Sequence, residues 1–345
     1  MVHNCYADTE AAVVGFVTEY LTGHALAAKL VGWFFLCAAF YGLFKATMAV
    51  IGHMRGLLRM LVPGANVKKL GEWAVVTGAT DGIGKGYAFE LARQGMNIVL
   101  ISRTQSKLDA VKSELLAKYP NVQATTVAVD FSNFDEAKQN DVKKAVDNLD
   151  IGVLVNNVGM SYSRPHMYLE ASLELTNRLI EVNLNSMTRM TYIVLPGMVS
   201  RRRGSIVNVS SGAGSLPQPL QAVYGGCKNF VNSFSESLDL EYRSKGVRVS
   251  SQAPMFVVSN LSKIRRSSFF VPSATAFARA AVAKIGTGET YVLPYWTHRL
   301  QFCLYSLVPR WILQKGALNM HLSIRKRAIR KEERIAAAAN ADKSN

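Results

Sequence analysis

From Glu72 onward, short apolar runs alternate with longer stretches in which apolar and polar positions follow a helical repeat. The runs are Trp73 to Thr77, Asn97 to Ile101, Val122 to Val129, Ile151 to Asn156, Ser205 to Asn208 and Val247 to Ser251. They are rich in Val and Ile with little polar alternation, the pattern of strands buried on both faces. Strand and helix in turn predict an α/β fold, a doubly wound parallel sheet with helices on both sides. No internal repeat of about 20 to 50 residues is visible.

The regions on either side read differently. Residues Leu30 to Phe44 carry no charge, and the apolar run resumes after Lys45 as far as Gly52. That is about as long as the roughly 20 residues that cross a bilayer. A transmembrane helix is expected here, with a buried or interfacial helix as the competing reading. Asp8, Glu10 and Glu19 with no early Lys or Arg do not suit a cleaved signal peptide, so the segment is expected to be retained. Arg55, Arg59, Lys68 and Lys69 follow it and place the remainder on the cytoplasmic side. The stretch from Tyr291 to Met320 is aromatic and apolar but broken by Pro294, Arg299, Pro309 and Arg310, which suits a membrane interface more than a span. A basic run then follows: Arg325, Lys326, Arg327, Arg330, Lys331 and Arg334. It suits lipid headgroups, or simply a solvated helix face. The expected divisions are 1–69 for a luminal segment, anchor and linker, 70–290 for a catalytic domain, and 291–345 for a membrane-associated segment and basic tail.

Composition narrows the class. With 345 residues, 49% hydrophobic and 19% charged, the chain is neither disordered nor a disulfide scaffold. The net charge of +16 asks for an anionic partner, but no nucleic-acid reading module is present. Four scattered cysteines and six histidines form no metal-spaced cluster, so reduced thiols and no metal site are expected.

Candidate chemistry begins after the first strand, at Gly78-Ala79-Thr80-Asp81-Gly82-Ile83-Gly84. Glycines there let the backbone N–H groups and the positive end of the next helix reach a pyrophosphate, although a lone glycine-rich loop also fits a plain turn. At the end of the second strand, where an acid would hold an adenosine ribose, stands Arg103. A cation suits the 2′-phosphate of NADPH, the expected cofactor; the alternative is an exposed strand-end arginine. Tyr224 and Lys228 lie four apart in a helical pattern and share a face. An ammonium beside a phenol lowers its pKa and readies it as a proton donor. Alone, that pair is a weak signal.

Together these segments resemble the short-chain dehydrogenase/reductase family: TGATDGIG at 77–84, NNVG at 156–159, IVNVSS at 206–211 and Tyr224-Gly225-Gly226-Cys227-Lys228. The resemblance implies a Rossmann-type fold and a catalytic tetrad of Asn183, Ser211, Tyr224 and Lys228, with Ser211 chosen over Ser210 by its spacing from Tyr224. Tyr224 would protonate the substrate oxygen, Ser211 would hydrogen-bond it, and Asn183 would position a water in the proton relay. Lys228 would also hold the nicotinamide ribose. Cofactor contacts are implied for Gly78, Thr80, Asp81, Gly82, Ile83, Gly84, Arg103, Asp130, Asn157, Gly159 and Ser259. Pro254-Met255 departs from the family's usual Pro-Gly.

Segments such as Val158-Gly159-Met160-Ser161-Tyr162 and Leu261-Ser262-Lys263-Ile264-Arg265-Arg266 are similar to the very-long-chain 3-oxoacyl-CoA reductases, a group shared with certain 17β-hydroxysteroid dehydrogenases. This likeness implies the endoplasmic reticulum membrane with a cytosolic catalytic domain. It also implies reduction of 3-oxoacyl-CoA in fatty-acid elongation, with other elongation enzymes and membrane lipids as partners. The alternatives are a steroid or retinoid ketoreductase and a catalytically idle membrane adaptor; a homo-oligomer is open. The end Asp342-Lys343-Ser344-Asn345 is no dilysine retrieval signal. Lys263, Arg265 and Arg266 are candidates to hold the CoA phosphates, or equally form a solvated face. The sequons at Asn208 and Asn260 are discounted.

Overall fold

The computed structural model describes residues 2–61 and 64–343. The side chains of His3, Cys5, Asp8, Glu10, His53, Arg59, Asp342 and Lys343 lie outside that description, as do residues Ser344 and Asn345. The chain divides into two compact units, residues 1–59 and 60–345.

The first unit consists of helix α1, which runs Val2–Leu61. Within its segment Ala11–Gly56 an 18-residue window reaches a mean hydropathy of 1.8, and none of the described residues there is buried. Trp33, Phe34, Phe35, Phe40 and Phe44 all stand exposed. A helix apolar on all sides and without a core to enter is a candidate membrane span. At 1.5 Å per residue those 46 residues reach about 70 Å, well beyond the roughly 30 Å of bilayer hydrocarbon.

In the second unit, strands and helices alternate in the order β1 (Trp73–Thr77), α2 (Gly82–Arg93), β2 (Asn97–Ser102), α3 (Gln105–Lys118), β3 (Ala124–Ala128), α4 (Glu136–Val146) and β4 (Ile151–Asn156). Helices α5 (Leu173–Ile180) and α6 (Ser186–Ser200) are joined by a π-helical turn, Glu181–Asn185. Then come β5 (Gly204–Val209), α7 (Ala222–Tyr242), β6 (Val247–Gln252), α8 (Ala274–Val282), β7 (Tyr291–Val292), α9 (Trp296–Ser306) and α10 (Arg310–Lys343). All strand pairs are parallel, in the order β3-β2-β1-β4-β5-β6-β7.

Alternate residues of each strand feed two cores. Ala74, Val76, Ile98, Leu100, Val153 and Val155 pack with α2, α3 and α8. Val75, Val99, Ile101, Leu154 and Ile206 pack with α4, α6 and α7. The strands thus match the apolar runs closely, with two differences. β3 begins at Ala124, because the Val122 N–H is taken by the Tyr119 carbonyl in the preceding turn. β7, only two residues long, was not singled out by any apolar run. Strand order reverses between β1 and β4, where an open α/β sheet forms its ligand crevice at the strands' C-terminal ends.

Candidate active site

The four expected catalytic side chains come together at the ends of β4 and β5. Asn183 sits in the π-helical turn and is buried. Such turns break the regular backbone ladder and recur at functional sites. Its Nδ2 donates to the Met160 and Leu179 carbonyls, each at 2.9 Å. A Cβ added to Gly159 would lie 3.1 Å from the Asn183 Oδ1 and 3.6 Å from the Lys228 Nζ, so Gly159 fills the narrow gap between them. Ser211 caps a short turn after β5, accepting from the Ala213 N–H at 3.1 Å, and it hydrogen-bonds Tyr224. Ser210 is committed elsewhere, donating to the Lys228 carbonyl at 3.0 Å.

Tyr224 and Lys228 occupy one face of α7, with the ammonium 5.8 Å from the ring centre. Lys228 Nζ donates to the Val209 carbonyl at 3.0 Å. The expectation of a lowered phenol pKa is corrected here. Burial raises the Tyr224 pKa, and the Ser211 hydrogen bond offsets this only in part. Burial also depresses Lys228 from 10.5 to about 8. The phenol therefore stays protonated at neutral pH, the form a proton donor requires.

The groove beside this cluster is shaped by backbone. Gly78 (φ +64) and Gly82 (φ +53) adopt left-handed conformations that favour glycine. A Cβ at Gly84 would fall 2.2 Å from the Gly78 carbonyl oxygen and 2.3 Å from Asn157 Nδ2. Asn157 itself clamps β4 to β1, donating to the Thr77 carbonyl at 3.0 Å. Thr80 and Ser102 share a 2.9 Å hydroxyl contact that ties the glycine turn to the end of β2. Ile83 is half-buried against the core shared with α2, α3 and α8. The first turn of α2 has no side-chain cap from Asp81, leaving its N–H groups to an anion. This cradle fits the phosphates of a dinucleotide. Arg103 stands exposed just past β2 and Asp130 lies at the β3 end. Burial pushes the Asp130 pKa up, but the Ser132 N–H and hydroxyl with the Arg103 and Lys138 charges more than reverse this.

Residues 253–273 form a roof over the cleft. Ser259 lies against the glycine turn, 3.2 Å from a Cβ placed on Gly82, and Asn260 donates to Asp81 Oδ2 at 2.6 Å. At the other side, Lys263 reaches the Ser163 carbonyl on the loop after β4. Lys263 is therefore engaged by a backbone carbonyl while remaining exposed, as Arg265 and Arg266 are. Asn208 is buried and bonded to Asn156 and Ser235.

The structure also shows where the departure at Met255 and the C-terminal segments lie, and adds contacts that the sequence reading did not foresee. The Met255 sulfur lies 2.2 Å from where a Gly212 Cβ would sit, so the thioether covers the residue next to Ser211. Tyr291 and Ser215 hydroxyls meet at 2.7 Å. The basic run lies on α10, which contacts the loops after β4 and β5, while Lys326, Arg327, Arg330, Lys331 and Arg334 stay exposed. His321 contacts the Pro219 carbonyl at 2.7 Å, Glu332 pairs with Arg164 at 3.1 Å, and Arg325 pairs with Glu170.

A phenol held neutral beside a groove shaped for a dinucleotide is the equipment of an oxidoreductase. Residues 72–268 match the family model described as short chain dehydrogenase, and the chain belongs to that family. A very-long-chain 3-oxoacyl-CoA reductase from Rattus norvegicus is 46% identical over 269 residues, covering 77% of this chain and 85% of that protein. One from Bos taurus is 43% identical over 309 residues, covering 89% and 92%. Among solved structures, a short-chain dehydrogenase from Sphingobium yanoikuyae in complex with NADPH is similar at 26% identity and a TM-score of 0.57, covering 73% of this chain and 95% of that one.

Proposed function

We propose that this protein is a membrane-anchored, NADPH-dependent reductase of 3-oxoacyl-CoA acting in long and very-long-chain fatty-acid elongation. The observation that carries the reading is the identity of 43 to 46% to 3-oxoacyl-CoA reductases across most of their length, in a chain whose Asn183, Ser211, Tyr224 and Lys228 converge on one cleft. The glycine turn, Asn157, Gly159 and Ser259 would hold NADPH, with Arg103 available to a 2′-phosphate, and the bound cofactor would supply the hydride for the substrate's C3. The Ser211 hydroxyl holds the 3-oxo oxygen, and the Tyr224 phenol gives that oxygen its proton. Lys228, bonded to the Val209 carbonyl, restocks the phenol, and Asn183 fixes the Met160 segment beside it. The products are a 3-hydroxyacyl-CoA and the oxidised cofactor.

The membrane setting draws on the apolar α1 and on a second feature. Phe269 (60% exposed) packs edge-on against Trp296 at 5.3 Å, and Leu304, Leu307 and Trp311 (66% exposed) continue the apolar surface along α9 into α10. Exposed Arg265, Arg266, Arg310 and Lys315 accompany it, the composition of a surface resting on anionic headgroups. We place the protein in the endoplasmic reticulum membrane with its catalytic unit cytosolic, among other elongation enzymes.

The test is NADPH oxidation by the purified, detergent-solubilised protein, given a long-chain 3-oxoacyl-CoA or a 17-ketosteroid, with Tyr224→Phe as control. A kcat/KM favouring the CoA ester and lost in the variant is expected. Preference for the steroid, or turnover of neither, overturns the reading.

A further inference from the structure

His298 lies in the first turn of α9 and is fully buried, yet the proposed chemistry does not use it. Its Nδ1 accepts a hydrogen bond from the Met255 N–H at 3.3 Å. That bond leaves the proton on Nε2, which faces the Phe256 carbonyl at 3.2 Å, and the Phe270 backbone also lies within polar reach of the ring. Met255 and Phe256 open the roof segment and Phe270 closes it, so one imidazole joins both ends to α9. Tyr295 and Phe277 flank the ring, at 5.4 and 5.9 Å between centroids, and fix its plane. Between the clasped ends lie Ser259, Asn260 and Lys263, which reach the glycine turn and the loop after β4. Just inside them, the Met255 side chain covers Gly212 beside Ser211. Burial pushes the His298 pKa down to about 4, so the ring is neutral near pH 7 and keeps one donor and one acceptor.

We infer that His298 is a positioning residue for substrate: by clasping the two ends of residues 255–270 to α9, it sets Met255 against the Ser211 wall and holds the roof in place over the acyl chain. The inference deepens the proposed reductase and rests on that reading for its choice of substrate. It separates closure of the roof from the proton chemistry, because Tyr224, Lys228 and Asn183 stand on α7 and the π-helical turn, which His298 does not bond.

The experiment compares His298→Phe, His298→Asn and His298→Gln in the full-length protein. Phe keeps the shape and loses every hydrogen bond; Asn can still accept from Met255 but falls short of Phe256 and Phe270. Gln reaches the two carbonyls with a donor. We expect KM for a long-chain 3-oxoacyl-CoA to rise about tenfold in His298→Phe, from the lost backbone bonds, with kcat changed less than about threefold. His298→Asn moves KM in the same direction and stands in if the Phe variant does not fold, while His298→Gln stays close to wild type. Limited proteolysis within residues 256–270 should accelerate in the Phe and Asn variants only. Unchanged KM and cleavage in the Asn variant would overturn the inference, as would equal damage in Gln and Asn with kcat falling alongside KM. The proteolysis arm needs no substrate, so it still decides the clasp if the wild-type protein fails to reduce acyl-CoA and the proposed function falls.

Discussion

The floor and the roof of the cleft are built by opposite means. The floor stands on strand ends and two helices: Asn183 and Lys228 are buried and bonded to backbone carbonyls, Gly84 leaves no room for a side chain, and the space beside Gly159 is tight. The roof, residues 253–273 with α9 and α10, is rich in exposed rings and is held by a few side-chain contacts, among them Asn260 to Asp81 and Lys263 to Ser163. The difference teaches where each property resides. Proton chemistry needs fixed donors and sits on the strand ends and helices, whereas admitting a long, flexible substrate falls to a loop held between them.

Perturbing the floor should cost most. Tyr224→Phe removes the proton donor and keeps the ring, so kcat should fall about 10²- to 10⁴-fold with NADPH binding retained, checked by steady-state kinetics and fluorescence titration. Gly84→Ala puts a methyl 2.2 Å from the Gly78 oxygen. Overpacking of this kind costs about 1–3 kcal/mol, and we expect Kd for NADPH to rise about 10- to 100-fold.

A pH profile sharpens the same contrast. Lys228 is cationic below about pH 8 and loses its proton above it, so reduction should decline about tenfold per unit well above pH 8, while NADPH binding by the glycine turn changes little. The sign for stability is opposite. Between about 8 and 10.5 the unfolded lysine holds a proton that the folded one has lost, so this group's contribution to folding stability rises with pH across that window. The smallest effect belongs to the roof's outer strap. Arg325→Ala removes a partly exposed ion pair with Glu170 worth about 0–1 kcal/mol. We expect less than about a threefold change in KM for acyl-CoA, and a tenfold loss of kcat would break the division between floor and roof.

What the sequence disclosed divides along the same line. Continuous Val and Ile runs located six strands to within two residues at each end, since burial on both faces leaves little freedom in composition. The four-residue spacing of Tyr224 and Lys228 was legible but weak alone, and it was the resemblance to short-chain dehydrogenases that made them a candidate pair and selected Ser211 over Ser210. The direction of the Tyr224 pKa was not legible, because burial is a property of packing and outweighed any help from the neighbouring lysine. Nor was the clasp at His298, whose partners lie more than 25 residues away in segments without periodicity. The two-residue β7 carried too little pattern to read, and the pairings of Arg325 with Glu170 and of Glu332 with Arg164 join residues too far apart in the chain to be foreseen.

The ion pairs of α10 also set a timetable. Arg325 and Glu332 meet partners made 155 and 168 residues earlier. At roughly 5–20 residues per second, the ribosome delivers them on the order of ten to thirty seconds after the loop they brace. A nascent chain thus carries its whole tetrad, and the candidate anchor before it, while that loop still waits for its brace. Synthesis halted before α10 leaves the tetrad and residues 253–273 made but the loop after β4 without these two ion pairs.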